Sequence, residues 1–293
     1  MFVAGIDGGG THTRLELRDE KNQFIRRMTF GPFNLNSIGE TAFRSLLHEV
    51  LDACGDLSQC WGLCIGAAGV SNSRVKEILS EVLGNAGMKG PWKLCGDQEI
   101  ALRGAMDTPG LAVIAGTGSI CFGKNESGDT ARSGGFGHLI DDGGSGYALG
   151  RDALSAAVRF LDGRGGSKAL CHGIFENLGI SSAEELVRFV YGQETNKSDI
   201  AKLSGVVLAL AGQGENTSAE ILTQGAEEIA CMVKAVQNRL NLPNCPIALL
   251  GGLLESENPY RQAVEKALAP YGKTQYPCHD ALWGAAQMAW ELA

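Results

Sequence analysis

Two short stretches of this chain, Asp7-Gly8-Gly9-Gly10-Thr11 and Gly116-Thr117-Gly118-Ser119, have residue types suited to holding phosphate. Each follows an apolar, strand-like run, residues 2–6 and 111–115. Glycines in a tight hairpin let backbone N–H groups approach an oxyanion with no Cβ in the way. Thr11 or Thr13 adds a hydroxyl in the first loop, and Thr117 and Ser119 do so in the second. A single loop of this kind is equally an ordinary glycine hairpin. Two of them, each flanked by strands, suit a nucleoside triphosphate, whose phosphate chain needs donors on both sides. Gly8, Gly9, Gly10, Thr11, Thr13, Gly116, Thr117, Gly118 and Ser119 are therefore candidate nucleotide ligands. Neither loop continues as Gly-Lys-Ser/Thr, which excludes a Walker A loop. A strand expected after the first loop argues against a dinucleotide fingerprint.

Carboxylates supply the rest of the chemistry. Asp7, at a strand end, suits Mg²⁺ directly or through water, because Mg²⁺ uses few carboxylates and keeps several waters. Asp97 follows a short strand at 92–95 and is placed to act as general base toward a hydroxyl. Aspartate is also a ready helix N-cap, and the spacing leaves both roles open. Residues 134–146 combine glycines with His138, Asp141 and Asp142. Asp142 suits sugar hydroxyls, one of the two aspartates suits a turn, and His138 reads as a packed residue. Gly251-Gly252, after a strand at 246–250, suits either a nucleoside or a plain strand-to-helix turn.

These residues need a scaffold of strands and helices. Strands are expected at 2–7, 14–18, 24–30, 61–67, 92–95, 111–115, 120–122 and 246–250. Helices are expected at 38–54, 75–83, 98–105, 147–160, 167–178, 183–191, 200–211, 219–241, 259–268 and 281–293. The strand–glycine turn–strand unit occurs twice, which reads as two α/β domains, residues 1–106 and 107–293, flanking a ligand cleft. Asp107-Thr108-Pro109-Gly110 marks the junction. The length of 293 residues agrees with two domains at roughly 100–200 residues each.

A net charge of −8 opposes a general nucleic-acid binder, which would carry a basic face. It does not oppose an anionic ligand held by backbone amides. The nine cysteines include no Cys-x-x-Cys pair and read as reduced thiols in a reducing cytoplasm. No charged leader and no apolar run of about 18–20 residues is present, so neither a signal peptide nor a membrane span is expected.

The ordered motifs resemble the BadF/BadG/BcrA/BcrD-type ATPase family, within the actin-like sugar kinases, and most closely N-acetylglucosamine kinases. The resemblance spans essentially the whole chain. It rests on Gly5 to Thr11, Gly31-Pro32-Phe33-Asn34, Gly96-Asp97, Ile114 to Ser119, Gly134 to Asp142, and Gly251-Gly252. It implies two ribonuclease-H-like domains with a hinged cleft, a helical insertion in the second, and a last helix packed back on the first. It implies ATP and Mg²⁺ as cofactors, an amino sugar as small-molecule substrate, and a homodimer. By position, Asp97 would take the proton of the sugar 6-hydroxyl. Asn34, Asp97, Gly135, Phe136, Gly137 and Asp142 would line the sugar site, and Gly251 and Gly252 would hold the nucleoside. Phe136 stands where such kinases often carry Trp, and Gly143 where they often carry Glu. These departures keep glucosamine and N-acetylmuramic acid open as substrates beside N-acetylglucosamine. Activators of 2-hydroxyacyl-CoA dehydratases share the expected fold, but the scattered cysteines do not suit their iron–sulfur cluster.

Overall fold

The computed structural model describes residues 1–70, 72–106 and 109–293. The chain divides into two compact units, Met1–Thr108 with Pro277–Ala293, and Pro109–Tyr276. Asp107 and Thr108, at the expected domain junction, lie outside the described residues.

The first unit runs β1 (Phe2–Gly8), β2 (Thr13–Asp19), β3 (Phe24–Phe30), α1 (Leu35–Cys54), β4 (Cys60–Ala67), α2 (Ser73–Asn85), β5 (Trp92–Gly96) and α3 (Asp97–Ala105). The C-terminal helix, Ala281–Leu292, completes it. The sheet order is β3-β2-β1-β4-β5. The β1–β2 and β2–β3 pairs are antiparallel, and the β1–β4 and β4–β5 pairs are parallel. Alternation along β1 assigns its two faces. Ala4 and Ile6 join Phe43, Leu47 and Ile78 in one core. Val3 joins Ile100, Ala285 and Ala289 in another. On that second face a Cβ at Gly5 would overlap the backbone of Ala286, and one at Gly62 the Ala289 carbonyl. Glycine at these two positions lets the C-terminal helix lie directly on the sheet. The parallel register sets Gly8 beside Ala67 and Ala67 beside Gly96, so the C-terminal ends of β1, β4 and β5 form one edge. Ligands of open α/β sheets bind outside that kind of edge.

The second unit contains β6 (Gly110–Ala115), β7 (Ser119–Lys124), β8 (Thr130–Gly134), α4 (Gly146–Leu161), α5 (Lys168–Leu178), α6 (Ala183–Tyr191), α7 (Lys197–Lys202), α8 (Ser204–Gly212), α9 (Asn216–Leu240), β9 (Ile247–Leu250), α10 (Pro259–Leu268) and β10 (Thr274–Gln275). Its sheet order is β10-β9-β6-β7-β8. Leu111, Val113, Cys121, Ile247 and Leu249 of the sheet share one core with Leu149, Ile229 and Val233 of α4 and α9.

The structure adds two strands to those expected from sequence. β8 reads Thr-Ala-Arg-Ser-Gly and β10 has two residues, so neither carries the apolar alternation that marks a strand. The single helix expected at 200–211 is two, α7 and α8, broken at Leu203, and the Ser204 hydroxyl donates back to the Ala201 carbonyl at 2.7 Å. Among the described residues no helix is long and apolar enough to cross a membrane.

Candidate active site

In the first unit the glycine hairpin closes β1 onto β2. Gly8 pairs with Thr13, and the Gly9 amide donates to the His12 carbonyl at 3.0 Å. The amides of Gly10, Thr11 and His12 have no protein acceptor among the described residues. A Cβ at Gly10 would meet nothing within 4 Å. The loop thus presents donors beside open space, as an oxyanion requires. Gly8 is glycine for packing instead: a Cβ there would lie 2.7 Å from the Phe33 ring. Phe33 in turn donates its amide to the Gly9 carbonyl at 2.9 Å, which seats Asn34 next to the hairpin. Asn34 caps α1, its Oδ1 accepting from the Asn36 amide at 3.1 Å. Its Nδ2 has no protein acceptor among the described residues.

Thr13 is a correction. It is fully buried, and its hydroxyl donates to the Gly31 carbonyl at 2.7 Å, so it anchors the hairpin and faces no ligand. Asp7 was expected at the strand end, suited to Mg²⁺ directly or through water. The structure pairs it with Arg14, whose Nη2 and Nε lie 2.5 and 3.2 Å from Oδ2. Oδ1 has no protein donor among the described residues.

Asp97 opens α3, but Gly96 occupies the N-cap position. Oδ1 of Asp97 accepts from the Gln98 amide at 2.9 Å, and Oδ2 has no protein donor among the described residues. One side of Asp97 is open to solvent. The protein packed around the remainder pushes its carboxyl above the ordinary value; the Gln98 amide opposes this, and the charge of Asp7 adds to it. The two carboxylates therefore sense each other at the same sheet edge. A carboxyl-detected NMR titration of the ligand-free protein should place Asp97 above the ordinary aspartate value of about 3.9. Asp7→Asn removes a like charge, so it should lower the Asp97 value. An Asp97 value unchanged in that variant would separate the two groups.

In the second unit β6 and β7 close around Gly116-Thr117-Gly118, with Ala115 paired to Ser119. The carbonyls of Gly116 and Thr117 accept from the amides of Gly146 and Tyr147, at 2.7 and 3.3 Å, in the first turn of α4. The amides of Thr117 and Gly118 have no protein acceptor among the described residues. Ser119 repeats the Thr13 correction: it is buried, and its hydroxyl donates to the Gly143 carbonyl at 2.7 Å.

The 134–142 segment meets this loop. Asp142 is buried, with φ of 62°, and its Oδ2 lies 3.0 Å from where a Cβ of Gly118 would sit. Asp141 is the aspartate of the turn, its Oδ2 accepting from the Phe136 amide at 3.2 Å. Gly135 and Gly137 have φ of 75° and 94°. Phe136 is exposed, with the Arg132 guanidinium 4.8 Å above its ring. His138 packs edge-on against Tyr147 at 4.8 Å. At Gly143 a Cβ would lie 3.1 Å from Oε2 of Glu228, so α9 brings a carboxylate beside this turn.

Gly116, Thr117 and Gly252 line one cavity of about 400 Å³ with Ser198, Ala201, Lys202 and Ser204. The structure therefore joins the loop to the Gly251-Gly252 turn and adds α7 and α8, which the sequence reading left out. Gly251 has φ of 89° and donates its amide to Glu255 at 2.9 Å. Cys64 and Cys95 lie 3.9 Å apart, sulfur to sulfur, and are buried thiols. Among the described residues no group of three or more His, Cys, Asp or Glu is suited to a metal ion.

The family model described as the BadF/BadG/BcrA/BcrD ATPase family matches residues 4–289. An N-acetylmuramic acid/N-acetylglucosamine kinase of Clostridium acetobutylicum is 36% identical over 265 residues, covering 88% of this chain and 87% of that protein. An N-acetyl-D-glucosamine kinase of Dictyostelium discoideum is 27% identical over 314 residues, covering 99% and 97%. Among solved structures, a candidate N-acetylglucosamine kinase of Chromobacterium violaceum matches with a TM-score of 0.76 at 25% identity, covering 98% of each chain.

Proposed function

We propose that this chain, which belongs to the BadF/BadG/BcrA/BcrD ATPase family, is an ATP-dependent kinase of amino sugars that phosphorylates the 6-hydroxyl of N-acetylglucosamine. The observation that carries the reading is the common edge of β1, β4 and β5. It places Asp97, with one carboxylate oxygen free, on the same edge as a glycine hairpin with three unpaired amides.

In this reading Asp97 accepts the hydroxyl proton on its free Oδ2 as the sugar oxygen attacks the γ-phosphorus. The Gln98 amide holds the other oxygen and fixes the direction of the carboxylate. Negative charge spreads over the phosphoryl oxygens in the transition state, and preorganised amides stabilise it without reorienting. Gly10, Thr11 and His12 carry unpaired amides of this kind among the described residues of the first unit, and Thr117 and Gly118 in the second. Gly251, Gly252 and the α7–α8 cavity take the nucleoside. Asn34, Gly135, Phe136, Gly137 and Asp142 address the sugar.

Asp7 fits Mg²⁺ as a single hard oxygen donor at the loop, with Oδ1 free of protein donors among the described residues. When bound, the ion would neutralise phosphate charge. Use of ATP and the buried, unpaired thiols suit a reducing cytoplasm.

The test is ATP consumption with N-acetylglucosamine, glucosamine, N-acetylmuramic acid, N-acetylmannosamine and glucose. N-acetylglucosamine is expected to give the highest kcat/KM, with a product phosphorylated at position 6 by NMR. If no sugar stimulates ATP consumption above the basal rate, the reading is wrong.

A further inference from the structure

The hairpin register places Arg14 directly across from Asp7. This is a consequence of a four-residue loop between Gly8 and Thr13, and it turns both side chains to one face of the sheet. Nη2 and Nε of Arg14 both reach Oδ2 of Asp7, at 2.5 and 3.2 Å. Arg14 is held from its other side: its Nη1 lies 3.6 Å from Oδ2 of Asp280. Asp280 caps the C-terminal helix, its Oδ1 accepting from the Trp283 amide at 2.8 Å. Arg27 bonds the same Asp280 oxygen at 3.0 Å and, through Nε, the buried Glu16 at 2.5 Å. Asp7, Arg14, Asp280, Arg27 and Glu16 thus form one connected chain of charges from the phosphate hairpin to the core.

We infer that Arg14 is a positioning residue for phosphoryl transfer, which holds Asp7 in one rotamer with Oδ2 committed to the guanidinium and Oδ1 left for the metal ion or its water. The inference rests on the kinase reading proposed above. An aspartate without such a clamp can rotate and offer either oxygen or both. A forked guanidinium is the side chain best shaped to remove that freedom. Stability does not explain the pair, because Arg14 is 40% exposed and so open an ion pair adds little to folding.

Calorimetric titration of ADP, with and without Mg²⁺, into the intact wild-type protein and Arg14→Ala tests this. Outer partners of metal-binding groups are typically worth about 10–100-fold in metal affinity or activity. Arg14→Ala is therefore expected to remove about tenfold of the Mg²⁺-dependent gain in ADP affinity and to lower kcat by about 10–100-fold. Its Mg²⁺-free ADP affinity, KM for the sugar and melting temperature should stay near wild type. Arg14→Lys should recover part of the loss, as a point charge without the fork. Asp280→Asn should weaken the Mg²⁺ gain in the same direction but less, because asparagine still caps the helix. Asp280→Asn carries the test if Arg14→Ala does not fold.

An unchanged Mg²⁺ gain and kcat in Arg14→Ala would overturn the inference and leave the kinase reading standing. An equal loss of ADP affinity without Mg²⁺ would also overturn it, by showing that Arg14 touches phosphate itself. A wild-type protein with neither a Mg²⁺ gain nor sugar phosphorylation would overturn both.

Discussion

Asp97→Asn should lower kcat for sugar phosphorylation by about 10²–10⁴-fold, the usual worth of a positioned general base. That loss corresponds to about 3–5 kcal/mol of transition-state stabilisation. Asparagine has nearly the same shape as aspartate, and its oxygen can still accept from the Gln98 amide that now holds Oδ1 at 2.9 Å. The substitution therefore removes basicity while keeping the geometry of α3. Sugar binding should remain measurable by calorimetry. Thermal stability should hold or rise. The protein packed on one side of Asp97 and the nearby Asp7 disfavour the charged carboxylate, and the neutral amide removes that cost. A variant that loses activity together with its fold would point to a structural residue. A variant that keeps wild-type kcat would remove Asp97 from the chemistry.

How far the sequence shows the site depends on which physical rule each residue obeys. Asp97 and the two glycine loops stand out because each follows an apolar strand-like run, although a plain hairpin or a helix N-cap would use the same residue types there. Thr13 and Ser119 have the same residue types, and their exclusion depends on a different fact. Each sits where its strand resumes, opposite Gly8 and Ala115 respectively, and points into the protein. Strand parity decides this, and parity requires the loop length. Arg14 is a similar case. It lies seven positions beyond Asp7 in the chain, and only the register makes them partners. The α7–α8 wall of the cavity beside Gly116 and Gly252 is not legible for another reason. Ser198, Lys202 and Ser204 meet Gly116 and Gly252 through the tertiary fold, and nothing in their local spacing signals it. β8 and β10 are short and polar, so they register as strands through their partners alone.

The C-terminal helix gives the second large expectation. Gly284→Ala should destabilise the protein, although it replaces a poor helix former with the best one. By propensity alone the change would favour the helix by about 1 kcal/mol. Here an added methyl group would overlap the Ile100 carbonyl oxygen and lie 2.6 Å from the Gly104 nitrogen. The contact is reciprocal, because a methyl group on Gly104 would overlap the Asp280 carbonyl. The amides of Cys278 and His279 donate to the carbonyls of Ala105 and Gly104 at 2.9 Å, which ties the two segments together there. Both obstacles are backbone, so no rotamer change relieves the overlap, and α3 must move away from the C-terminal helix. Overpacking of this kind costs about 1–3 kcal/mol or more, which outweighs the propensity gain. Separation also exposes the small core that Ile100 shares with Ala285 and Ala289. Because α3 begins at Asp97, the same movement displaces the proposed base, and kcat should fall more than sugar affinity does. Urea and thermal unfolding of Gly284→Ala beside the parent, with kcat and KM for each, measure both effects. A variant as stable as the parent would mean that the helices have slack at this crossing. The C-terminal helix would then not be what holds Asp97 in place.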